Sequence, residues 1–261
     1  TTAPTKPIIT GIGPDNGVSS TDKITNANVL TIAGTAEANS LVTVYDNGTK
    51  IGTTTTDANG VWTFTTAALT DGSNRFSANA TDSAGNKSVN ADSYTMVVDA
   101  SAPTAPVINS LPSPIGDNTP TISGTGEPGA VVTINANGSP IGTAVVDANG
   151  NWSFTPTTPI SDGTTAFTAT QKDTAGNNSP TSNTVTSVID TTAPNAPAIN
   201  SLGTINSATP AITGTAEPGS TIKLYNGTTL IGTATAGSNG NWSITPSPAL
   251  NEGTNNLIAT A

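Results

Sequence analysis

The sequence repeats itself with a step of about 90 residues, and that period limits the fold more than any single motif does. GTAE at 34–37 returns as GTGEPG at 124–129 and GTAEPG at 214–219. Trp62, Trp152 and Trp242 keep the same step, as do the IGT triplets at 51–53, 141–143 and 231–233. DANG at 57–60 and 147–150 becomes GSNG at 237–240, and DG at 71–72 and 162–163 becomes EG at 252–253. DSAGN at 82–86 matches DTAGN at 173–177, and VDASAPTAP at 98–106 matches IDTTAPNAP at 189–197. So many blocks in one order mean one structural unit used three times. The expected repeats are 1–99, 100–190 and 191–261, the last incomplete and lacking its final strand.

Within each copy, short alternating runs sit between turn signals, the pattern of a two-layer β structure. In the second copy the strands are expected near 105–110, 119–125, 130–136, 141–147, 151–155, 164–172 and 182–190. Trp152 and Phe154 share one strand face, as do Phe167 and Ala169, and both other copies keep the pattern, which marks core positions. Seven strands in roughly 90 residues predict an all-β chain. Its form would be tandem immunoglobulin-like antiparallel β-sandwiches arranged end to end as a rod. The Cys…Trp…Cys spacing of antibody domains is absent, and the Trp falls on a later strand.

Composition agrees. Hydrophobic residues are 34% and aromatics 4%, with Thr, Ser, Asn and Gly in their place, which suits half-exposed strands. Lys+Arg total 7 against 17 Asp+Glu, for a net charge of −10. That balance argues against nucleic acid as a partner and against attraction to an anionic membrane surface. No apolar run reaches membrane length. Cysteine is absent, which points away from a disulfide-stapled eukaryotic secreted domain. The opening TTAPTKP reads as part of a link, so the segment is expected to be an internal piece of something longer. Without histidine no Ser-His-Asp or Cys-His centre can form. A glycosidase needs one unique acid pair, whereas here similar acids recur at similar turns. The chain reads as a non-enzyme.

The acids carry the remaining signal. In such a sandwich the loops after strands two, four and six lie at the upstream end. In the second copy that end should hold Glu127, Asp147 and Asp173, with Asp99 of the link arriving beside them. Asp46 and Asp71 of the first copy should face the same junction, with Asp15 and Asp22 nearby. The second junction would offer Asp190, Glu217, Asp162 and Asp117, but Gly237 stands where DANG would supply an aspartate. Converging carboxylates repel, and a hard cation such as Ca²⁺, which takes 6–8 oxygen ligands, would remove that penalty. The plainer alternative stands beside it: Asp in DANG and D-AGN is also what a tight turn uses. Glu127 is not a turn former, and no turn type requires Asp99 or Asp190.

The ordered set GTAEPG, IGT, DANG-W-F, DG, D-AGN and D-TAP resembles the bacterial Ig-like repeats of giant adhesins secreted by type I systems, of the biofilm-associated and SiiE non-fimbrial type. The likeness spans essentially the whole chain. It implies a long extracellular, monomeric rod at the bacterial surface, stiffened by Ca²⁺ at domain junctions and serving attachment to host cells or biofilm formation. Carried over by motif, the implied ligands are Asp99 and Asp190 of the links, Glu127 and Glu217 of the GT-E loops, and Asp82 and Asp173 of the D-AGN loops. Glu37 stands in the first copy's GTAE loop, which has Ala-Asn where the others keep Pro-Gly. The expected partners are neighbouring repeats of the same chain, with host glycans or receptors met through other parts of the protein. The rival reading is a lectin-like module, but Tyr45 and Tyr225 match while Asn135 stands between them, so no shared binding face is indicated.

Overall fold

A computed structural model describes residues 2–261; among them there is no helix. In the first repeat, strands run β1 Ile8–Gly13, β2 Ile24–Thr25, β3 Thr31–Thr35, β4 Leu41–Asp46, β5 Thr49–Thr55, β6 Val61–Thr65, β7 Gly72–Thr81 and β8 Tyr94–Val98. They form two sheets, β1-β3-β6 and β2-β8-β7-β4-β5. The second repeat follows with β9 Val107–Ile108, β10 Ile122–Thr125, β11 Val131–Ala136, β12 Ser139–Val145, β13 Asn151–Phe154, β14 Gly163–Lys172 and β15 Val185–Ile189. Its sheets are β13-β10-β9 and β12-β11-β14-β15. The third has β16 Ala198–Ile199, β17 Ile212–Thr215, β18 Thr221–Asn226, β19 Thr229–Thr235, β20 Asn241–Ile244 and β21 Leu257–Thr260. It is arranged as β16-β17-β20 and β19-β18-β21.

The chain divides into two compact units, one ending at Asp190 and the other covering Thr191–Ala261. The first unit holds two hydrophobic clusters, around Trp62 and Phe76 and around Trp152 and Phe167. The second unit has its own cluster around Trp242 and Leu224.

The repeated glycines are explained by packing. Gly34, Gly124 and Gly214 of the GT-E blocks pair across the strands with Trp62, Trp152 and Trp242. A Cβ at any of them would overlap the indole and a main-chain carbonyl. The IGT glycines Gly52 and Gly142 meet the rings of Phe64 and Phe154 in the same way, and Gly232 meets Ile244. Each sandwich therefore keeps two glycines as floor and ceiling for the aromatic strand, and interiors this dense have no room for a methyl group. Burial follows the expected parity: Trp62, Trp152 and Trp242 are all buried.

One pairing goes beyond what the sequence suggests. The short strand β2 runs parallel to β8, and the second repeat echoes it as a single parallel bridge between Ile115 and Ile189. In the third repeat the sheet ends at β21, where the other repeats add β8 or β15.

Candidate functional site: the junction at Asp99

Asp99 leaves β8 with its main chain fixed, its N–H donating to the Thr25 carbonyl at 2.9 Å. Its carboxylate Oδ1 accepts the N–H of Ser101 at 3.2 Å, closing a short turn ahead of the prolines. From the first repeat, Asp71 reaches the same link. Its Oδ1 accepts the Ala100 N–H at 2.9 Å and its Oδ2 the Ser101 hydroxyl at 2.6 Å. The Ser101 hydroxyl, followed by the Ala100 amide, holds the Asp71 carboxyl below the usual carboxylate range.

The second repeat grips the link from the other side. The Asn177 Nδ2 donates to the Asp99 carbonyl at 2.7 Å. The Gln171 Nε2 donates to the Thr104 carbonyl at 2.8 Å, while its Oε1 accepts the Glu127 N–H at 3.0 Å. The D-AGN loop also touches the body of the first repeat: the Val18 N–H donates to the Thr174 carbonyl at 3.2 Å. A Cβ on Gly17 would lie 2.7 Å from that carbonyl oxygen. Ala175 is fully buried and Asp173 is 2% exposed, whereas Ala84 of the first repeat's D-AGN loop is exposed. The same loop sequence is thus a docking element in the second repeat.

The aspartates of the repeated turns have local work. Asp173 Oδ1 accepts the Asn177 N–H at 2.8 Å and Oδ2 accepts its Nδ2 at 2.9 Å. Asp82 does the same with Asn86, at 2.8 and 2.7 Å. Asp147 Oδ1 accepts from Asn149 and Asn151, each at 2.8 Å. It closes its own turn. In GSNG, Asn239 takes over that duty by accepting the Asn241 N–H at 3.1 Å, so Gly237 does not break the turn. Asp117 caps Thr119, and Asp22 caps Ile24. Asp15 Oδ2 accepts the Lys23 N–H at 3.2 Å. Asp46 is turned inward, where burial pushes its carboxyl up.

Glu127 stands apart from these. Burial first, then the charges of Asp173 and Asp99, push its carboxyl above the ordinary glutamate range. These three acids of the expected set therefore share one junction electrostatically. Glu37 uses its carbonyl, which accepts the Thr56 hydroxyl at 2.6 Å, and Glu217 uses its own for the Ser220 hydroxyl at 2.7 Å. Asp162 immediately precedes β14 as Asp71 precedes β7, and the Asp190 N–H donates to the Ile115 carbonyl at 2.9 Å. Among the described residues, no group of three or more acidic, histidine or cysteine side chains gathers closely enough to hold a metal ion. The charges at Glu127 suit a cation, but the oxygens are not gathered as a calcium cage requires.

In the sequence the repeated aspartates stand out as charges, while the amides that fasten the link do not. Asn177 was visible as the last letter of a repeated D-AGN block. Gln171 gave no such signal, because Ala80 stands at the corresponding place in β7.

No curated protein matches the chain significantly. Among solved structures, fibronectin(III)-like modules of Clostridium thermocellum CbhA share 18% identity over 69% of this chain and 94% of theirs, with TM-score 0.40. A tetra-tandem repeat from the extending region of a large adhesion protein shares 23% over 98% of this chain and 72% of its own, with TM-score 0.34. The BSP domain of a biofilm associated protein shares 25% over 65% of this chain and 29% of its own, with TM-score 0.29. The profile described as bacterial Ig-like domain matches residues 2–100 and 198–261, and that described as bacterial Ig domain matches 102–187. With its sandwiches, its period and these matches over most of its length, the chain belongs to the bacterial Ig-like domain family.

Proposed function

We propose that this chain is a spacer segment of a bacterial cell-surface adhesin. Its sandwiches would be strung end to end and would carry binding elements of a larger protein toward host cells or a biofilm matrix. The observation that carries this reading is the link at Asp99, held from the first repeat by Asp71 and from the second by Asn177 and Gln171. A spacer transmits position only if its joints resist bending, and direct hydrogen bonds on both sides of a proline-bearing link serve that end. Family membership points the same way, since Ig-like domains of this kind are structural and adhesive modules.

Calcium is part of the proposal as a counter-ion at the Asp99 junction. The support for it is electrostatic: Glu127 is pushed up by burial and by Asp173 and Asp99, a penalty that a divalent cation would relieve. Glu127, Asp173 and Asp99 do not converge into a cage, so the ion would be held near them by their combined charge and through water rather than by a closed shell of carboxylates. Small-angle scattering of the whole chain, with calcium and with a chelator, tests the reading. A spacer keeps an extended maximum dimension that chelation shortens or broadens. A compact particle under both conditions contradicts the spacer reading, and an unchanged extended particle contradicts the role of calcium alone.

A further inference from the structure

Five of the seven cationic residues, Lys6, Lys23, Lys50, Arg75 and Lys87, fall in the first repeat of a chain whose net charge is −10. Lys50, Arg75 and Lys87 share the outer face of the sheet that holds β4, β5 and β7. Lys50 pairs across the strands with Tyr45, and Tyr45 with Ser77, two residues from Arg75 on β7. The Tyr45 hydroxyl is held below the ordinary phenol range by Asn79 first and also by the Lys87 and Lys50 ammonium groups. Beneath them, the Asn79 Nδ2 donates to the Tyr45 hydroxyl at 3.1 Å and to Asn90 Oδ1 at 3.0 Å. Asn79 is 2% exposed, yet its Oδ1 has no partner. Beside this cluster lies an open groove of about 690 Å³, lined by Asn47, Arg75, Ser77, Asn90, Asp92 and Ser93 among others. Among the described residues the one ion pair joins Lys6 to Asp92 at 2.8 Å. No carboxylate therefore pairs with Lys50, Arg75 or Lys87.

The fold does not need this face. The second repeat builds the same sheet with Asn135, Pro140, Ala166, Thr170 and Asn178 where the first has Tyr45, Lys50, Arg75, Asn79 and Lys87. Three cations and a tyrosine stand where the second repeat has a proline, an alanine and two asparagines; with a buried amide oxygen unpaired beneath, this face exceeds what the sandwich requires. Unpaired cations interleaved with amides and hydroxyls suit a ligand that offers both anionic groups and many hydroxyls. An open polar groove does not suit a small apolar ligand.

We propose that this groove of the first repeat binds an acidic saccharide, with Arg75 of its lining and Lys87 on the sheet face beside it taking the anionic groups, and Ser77 and Asn90 the hydroxyls. The site is independent of the spacer role, since none of these residues touches the Asp99 link. Titration calorimetry of the whole chain at low ionic strength tests it with four probes: a tetrauronate, a heparin tetrasaccharide, a neutral cellotetraose and a tetrathymidylate. The expected result is binding of one or both acidic saccharides, with Kd about 1 mM or tighter, weakened about tenfold or more by Arg75→Ala and by Lys87→Ala. Lys223→Ala, in the third repeat, leaves it unchanged. The uronate and heparin arms tell carboxylate from sulfate as the source of the charge. Binding of neither acidic probe, equal binding of cellotetraose, tighter binding of tetrathymidylate, or equal weakening by Lys223→Ala would overturn the proposal. Arg75, Lys87 and Lys223 are all exposed, so an unchanged thermal transition in each variant separates lost contact from lost fold.

Discussion

The side-chain amide of Asn177 donates to the main-chain carbonyl of Asp99 across 2.7 Å, joining the D-AGN loop of the second repeat to the last residue of the first. The same amide satisfies Asp173, which is buried. One side chain thus shapes its own loop and fastens that loop to the neighbouring repeat.

Asn177→Ala removes both contacts and leaves a buried carboxylate short of a donor. The expected cost is about 1–3 kcal/mol, read by urea unfolding of the whole chain. Asn86→Ala, in the first repeat's exposed loop, should cost less, because Asp82 can turn to water. Equal costs for the two variants would mean that the junction contact contributes nothing.

Gly17 lies against the Thr174 carbonyl, and a Cβ there would sit 2.7 Å from its oxygen. Gly17→Val should push the D-AGN loop away from the first repeat and leave both cores intact. In amide spectra the shift changes should concentrate at 15–26 and 173–177. Changes spread through β3 and β6 instead would show that the loop 14–23 supports the first core.

Gly124 lies under the Trp152 indole, so Gly124→Ala forces a methyl group into a filled layer. Overpacking of this kind costs about 1–3 kcal/mol. Gly11→Ala is the matched control, since a Cβ there meets nothing within 4 Å. Denaturant midpoints should fall for the first variant and hold for the second.

The raised carboxyl of Glu127 has a definite pH signature. Its folded-state pKa lies above the ordinary value of 4.5, through burial, then Asp173, then Asp99. The stability it contributes is therefore complete below about 4.5 and is lost as pH rises through the raised value. At pH 7 and in chelator, Glu127→Gln should be more stable than the parent by only roughly 0.2–0.5 kcal/mol, because the burial is partial: the residue is still exposed to water, which screens its charge. At pH 3.5 the two should coincide. Millimolar calcium should then raise the melting temperature of the parent more than that of the variant; an equal rise in both would place calcium elsewhere.

Much of the fold was legible because the period is strict and because Trp, Phe and Gly recur at fixed places within it. Strand positions in the second repeat followed from alternation, and the trimmed ends reflect the prolines at 103, 106 and 120. The parallel strand β2 was not legible, since two residues carry no periodicity. At the junction, Asp99 and Asp71 stood out as charges, but their partners are amides and hydroxyls that composition hides among many others. Asp147 illustrates the limit: a carboxylate in a turn looks the same in sequence whether it closes the turn or binds an ion.

The direct test of the central claim is the relative order of the first two repeats in solution. Residual dipolar couplings measured on the whole chain should fit one common alignment tensor for residues 8–98 and 107–189, with the link at 99–104 as ordered as the strands. Two independent tensors of different magnitude, with averaged couplings through the link, would contradict a fixed joint at Asp99.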